Sequence, residues 1–130
     1  MTAVDTNILV RIITNDDRRQ AARAATFLRA QDRVLIAKTV ILELEWVLRS
    51  TYRLLPPTIS AALRRLVAMP NADFEDAESI TRGLASYDRG VDFADSLHLA
   101  SARAARQFAT FDSALRRRAR RLAIGNVVEP

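Results

Sequence analysis

The sequence predicts an α/β fold, a single domain in which a small, mostly parallel sheet is flanked by helices on both faces. Three observations carry that expectation. Short apolar runs of β-like composition alternate with longer runs at helical spacing. Hydrophobic residues make up 49% of the 130-residue chain and charged residues 27%, enough to build a core without metal or disulfide staples. No Gly/Ser linker, repeat or low-complexity tract interrupts the chain, so residues 1–130 read as one unit.

Residues 2–4 form a short apolar strand that stops at Asp5, and a helix over residues 8–13 follows with Thr6 or Asn7 as its cap. Residues 21–30 are alanine-rich and place Ala24, Phe27 and Leu28 on one helical face. Residues 34–37 (VLIA) read as a buried strand. Residues 39–52 form a helix in which Val40, Leu44, Val47 and Leu48 recur at helical spacing, and Pro56 and Pro57 close that region. A helix over residues 58–69, a minimal strand at 72–74 and two helices at 75–87 and 92–106 follow, the last two parted by a turn at Arg89 and Gly90. A strand at 108–111, an arginine-dense helix at 113–122 and a short strand at 126–128 complete the alternation.

The composition excludes several classes. With Cys 0 there is no disulfide framework, thiolate zinc site or thiol nucleophile, and any metal must sit on oxygen or on the lone His98. The apolar start is broken by Asp5, Asn7 and Arg11, so neither a signal peptide nor a membrane span is expected, and a cytoplasmic location is. The formal net charge of +5 comes almost wholly from arginine, Lys38 being the only lysine. Guanidinium groups pair bidentately with phosphate or carboxylate, which implies a polyanionic or acidic partner as readily as a solvated surface.

In open α/β sheets the ligand crevice lies beyond the carboxyl ends of the strands. Asp5 ends one apolar run and Asp112 another, so both would emerge at one edge if their strands are parallel neighbours. Asp5 could instead be a loop residue satisfied by nearby backbone N–H groups, and Asp112 could simply cap the helix that follows it. Asp92 and Asp95 stand three apart at a helix start, where Asp92 reads as a cap and Asp95 is less settled. Glu43 lies in a nearly all-apolar helix with no cation one turn away, whereas Glu45 has Arg49 at i+4, so Glu43 is the acid whose burial would demand a cation. Converging carboxylates repel one another unless a cation neutralises them, and hard oxygen ligands select Mg²⁺ or Mn²⁺. Such an ion activates water and polarises a phosphoryl group, which makes phosphodiester hydrolysis the natural chemistry.

The segments VDTN (4–7), TVILELEWVL (39–48), DFADSLHLASA (92–102) and FATFD (108–112) resemble a PIN domain, and specifically the VapC toxin ribonucleases of type II toxin–antitoxin modules. The resemblance covers nearly the whole chain. It implies that Asp5, Glu43, Asp95 and Asp112 form an acidic, metal-binding catalytic site supported by Asn7 and Thr110. It implies further a homodimer, or a heterotetramer or larger assembly, with a cognate VapB-like antitoxin whose tail wraps the toxin. Arg103, Arg106, Arg116, Arg117, Arg118, Arg120 and Arg121 cluster late in the chain. Arg116, Arg117 and Arg120 are read as an RNA backbone track, against a solvated face or antitoxin dock. Trp46 reads as core or dimer contact and His98 as an ordinary helix residue. Two other readings compete. A haloacid-dehalogenase-like phosphatase would need an acid where Asn7 stands, and a non-catalytic RNA-binding or regulatory module would use the acids only as caps.

Overall fold

In the computed structural model, which describes residues 1–130, the chain forms two compact units, Met1–Ala77 and Glu78–Pro130. The first is built on three parallel strands in the order β1-β2-β3, with β1 at Thr2–Ala3, β2 at Val34–Ile36 and β3 at Ala72–Phe74. Thr2 pairs with Val34, and Val34 with Ala72. Val34 and Ile36 on the central strand are fully buried, as expected for a strand hydrogen-bonded on both sides. Parallel strands need crossovers, and here α1 (Thr6–Thr14), α2 (Arg18–Arg29), α3 (Lys38–Ser50) and α4 (Pro56–Val67) supply them. Leu9, Ile41, Leu44, Leu48, Ile59 and Leu63 fill the core.

The helix boundaries depart from the sequence reading for local reasons. The cap of α1 is Asp5, not Thr6 or Asn7, because its carboxylate accepts from Thr6 N at 2.7 Å. The helix ends at Asn15, whose left-handed φ of 50° suits a C-cap asparagine. α4 starts at Pro56 and not at residue 58, since proline in the first turn loses no hydrogen bond the helix would have made. A polar clasp holds the α1–α2 hairpin to the end of α3. Arg11 donates to Asp16, Gln20 and Tyr52, and the Tyr52 hydroxyl donates to Asp16 at 2.7 Å.

The second unit contains α5 (Ala77–Asp88), α6 (Phe93–Ser101), β4 (Phe108–Ala109), α7 (Ser113–Leu122) and β5 (Val127–Val128). Ile80, Leu84, Tyr87, Phe93, Leu97 and Leu115 are buried in it, and the Tyr87 and Phe93 rings meet edge to face at 5.2 Å. Gly83 lets α5 approach the backbone of Leu97 on α6. Gly90 takes the positive φ of 93° that turns α5 towards α6. α6 is shorter than the expected 92–106. It stops at Ser101, and Arg103 folds back to donate to the Ala100 carbonyl and the Ser79 hydroxyl. β4 pairs in parallel with β5, Phe108 against Val127, in a sheet separate from β1. The pairing of the Asp5 and Asp112 strands as neighbours is therefore not what forms.

Candidate active site

At the carboxyl edge of the three-stranded sheet, Asp5 follows β1, Lys38 follows β2 and Glu75 and Asp76 follow β3. Parallel pairing puts all three strand ends on one side, which is where an α/β sheet opens a crevice. Asp5 is exposed and uses Oδ1 as the α1 cap, leaving Oδ2 without a hydrogen bond. Beside it the Thr6 hydroxyl is buried and has no hydrogen-bond partner, a cost that burial does not normally leave unmet. Asn7 is exposed in the first turn of α1. Lys38 pairs with Asp76 at 3.1 Å, while Glu75 accepts from the Lys38 backbone N–H at 3.3 Å.

Glu43 sits in the second turn of α3, the helix that leaves this edge from β2, and its side chain is exposed. Glu43 is therefore not a buried acid that demands a cation. Glu45 is the buried acid, 2% exposed, and Arg49 one turn on satisfies it at 2.9 Å. Exposure leaves the Glu43 carboxylate open to a ligand, and no ion pair occupies it. Trp46 is also exposed, at 57%, so it is not a core residue of this chain.

In the second unit the acids act on one another. Asp92 caps α6, accepting from Asp95 N at 3.2 Å, and so has the role the sequence assigned to it. Burial pushes the Asp95 carboxyl above the ordinary carboxylate range, the negative charges of Asp92 and Asp112 push it further, and His98 opposes them. Asp112 caps α7 through Leu115 N at 3.0 Å, and its own N–H donates to the Thr110 hydroxyl at 3.1 Å. The chain thus holds Asp112 from both sides. His98 is exposed on α6. Asp92 contributes charge as well as a cap, which sequence reasoning missed. It missed the edge position of Lys38 too, although the rule that found Asp5, a polar residue where an apolar run stops, also applies to Lys38.

No three or more carboxylates or imidazoles are gathered into a group that could hold a metal ion. The donor chemistry nevertheless fits a hard divalent cation. Asp95 resists ionisation beside Asp92 and Asp112, a strain that a cation would relieve, and an unpartnered hydroxyl adjoins Asp5. Of the late arginines, Arg116 donates to the Thr110 carbonyl at 2.8 Å, Arg118 donates to the Gly90 carbonyl, and Arg117 and Arg120 are exposed. No helix is long and apolar enough to cross a membrane.

Among curated proteins none matches this chain. The family model described as PIN domain matches residues 2–121, a span that includes Asp5, Glu43, Asp95 and Asp112. PIN domains are generally nucleases and usually use divalent metal ions. With its parallel strands, its helical crossovers and a match over nearly its whole length, the chain belongs to the PIN domain family and has a nuclease-type fold.

Proposed function

We propose that this protein is a Mg²⁺- or Mn²⁺-dependent endoribonuclease and the VapC-type toxin of a type II toxin–antitoxin module. The observation that carries the reading is the PIN match through all four acids, joined to the concentration of negative charge around Asp95. Asp5 and Asp95 are the direct ligands in this reading, and Glu43 and Asp112 complete the set. A bound divalent ion supplies water activation and stabilises charge on the phosphoryl oxygens. The chain's own groups do the rest. The Asp5 and Asp112 caps hold those carboxylates in place with one oxygen each, and the Thr110 hydroxyl aligns the Asp112 backbone. Arg117 and Arg120 offer exposed guanidinium groups to RNA phosphates. The partners are RNA, a second copy of the chain and a VapB-like antitoxin, in the cytoplasm.

The test is cleavage of total bacterial RNA by antitoxin-free protein with Mg²⁺ or Mn²⁺, beside Asp5→Asn and Asp95→Asn. Each variant is expected to lose at least about a hundredfold in rate, since outer-shell changes alone cost 10–100-fold at metal sites. Metal-independent RNA binding without cleavage, unchanged in both variants, would establish the non-catalytic module instead.

A further inference from the structure

Beside α7 lies a cleft of ≈ 420 Å³ lined by Arg116, Arg120, Asn126 and Glu129, with Gly125 and Val127. Its two cations stand at i and i+4 on one face of α7, next to the stripe where Leu115 and Ala119 are buried. Arg116 is held firmly. Its side chain is 17% exposed, and its Nη1 is spent on the Thr110 carbonyl at 2.8 Å. Its Nη2 meets the Glu129 carboxylate at 3.5 Å, well beyond the roughly 2.7–2.9 Å of a good charge-assisted bond. Glu129 is itself 63% exposed, and the Arg120 side chain has no hydrogen bond or ion pair. The cleft therefore holds two guanidinium groups and one loosely held carboxylate that pairs with Arg116 alone, and Arg117, Arg118 and Arg121 on the same helix add to the positive potential.

We propose that this cleft is a phosphate subsite for the RNA backbone and that Glu129 is its built-in competitor, seated on Arg116 until a phosphate displaces it. This rests on the ribonuclease reading. A pre-positioned guanidinium loses little freedom on binding, and its planar fork matches a phosphate's oxygens. The location favours RNA over an acidic peptide. Arg116 grips the carbonyl of Thr110, whose hydroxyl takes the N–H of Asp112, so the segment that presents a candidate catalytic carboxylate also anchors the cleft. An RNA strand engaged at Asp112 would have a backbone phosphate to place nearby.

The experiment uses the full chain in a chelating buffer with a short, fluorescein-labelled 2′-O-methyl oligoribonucleotide, which binds but is not cut. Arg120→Ala, an exposed change, is expected to weaken binding about fivefold and to flatten the log–log salt dependence by about one phosphate contact. Glu129→Gln is expected to tighten binding about threefold, and more than Asp32→Asn, an exposed acid outside the cleft. If Arg120→Ala and Arg65→Ala, an exposed cation outside the cleft, weaken binding equally and Glu129→Gln behaves like Asp32→Asn, only net charge is at work and the subsite is overturned. It is also overturned if an acidic peptide needs Arg120 and the oligonucleotide does not. Separate cleavage assays with Mg²⁺ distinguish the two failures. Loss of the cleft effects with cleavage intact removes only the subsite, whereas cleft effects in a protein that never cuts RNA remove only the nuclease.

Discussion

Asp95 lies in the first turn of α6 with Asp92 three residues before it, and burial and like charge together make it hold its proton more tightly in the folded chain than in the unfolded one. The sign of the consequence is definite. Stability gained from protonated Asp95 is present below the ordinary carboxylate range and is lost as pH rises through its raised folded value, so ionised Asp95 opposes folding of the metal-free protein at neutral pH. Asp95→Asn should therefore melt at a higher temperature than the parent at neutral pH in chelator, and at the same temperature near about pH 3, where both forms are neutral. Thermal melts at the two pH values check this. A lower melting temperature for the variant at neutral pH would show that the carboxylate is stabilising after all.

At the scale of the element, α3 carries two glutamates two residues apart with opposite surroundings. Glu45 faces the core beside Arg49, and Glu43 faces out. Removing one partner of a buried pair costs more than the pair contributes, so Arg49→Ala is expected to cost about 1–3 kcal/mol, the lower end reflecting the partial exposure of Arg49. Glu43→Gln should stay within about 0.5 kcal/mol of the parent, as surface changes usually do, while reducing RNA cleavage. Urea unfolding beside the cleavage assay separates the two effects. If Glu43→Gln keeps full cleavage and Glu45→Gln loses it without unfolding, the assignment of the two acids is reversed.

At the scale of the molecule, a net charge of +5 made from arginine favours a polyanion that offers flat, paired oxygens. RNA affinity should fall linearly with salt on logarithmic axes, with a slope of about −2 to −4, each neutralised single-strand phosphate contributing about −0.7. Titrations of an uncleavable oligonucleotide at several salt concentrations measure it. A slope near zero would mean that the arginines are not used on the backbone.

The sequence by itself determined the alternation of strands and helices, the α7 boundaries, the Asp92 and Asp112 caps and the Glu45–Arg49 pair. These depend on neighbours within about one helical turn, where periodicity and capping chemistry act. Asp5 was legible as a strand-end acid, although its cap role was assigned to the residues just after it. Only tertiary structure decided that Glu43 is open and Glu45 buried, that Trp46 is exposed, and that β4 pairs with β5. The reason is physical. α3 is apolar almost all round, so its periodicity selects no face, and strand pairing depends on which distant segment arrives alongside, a choice made by packing and not by any local run of residues.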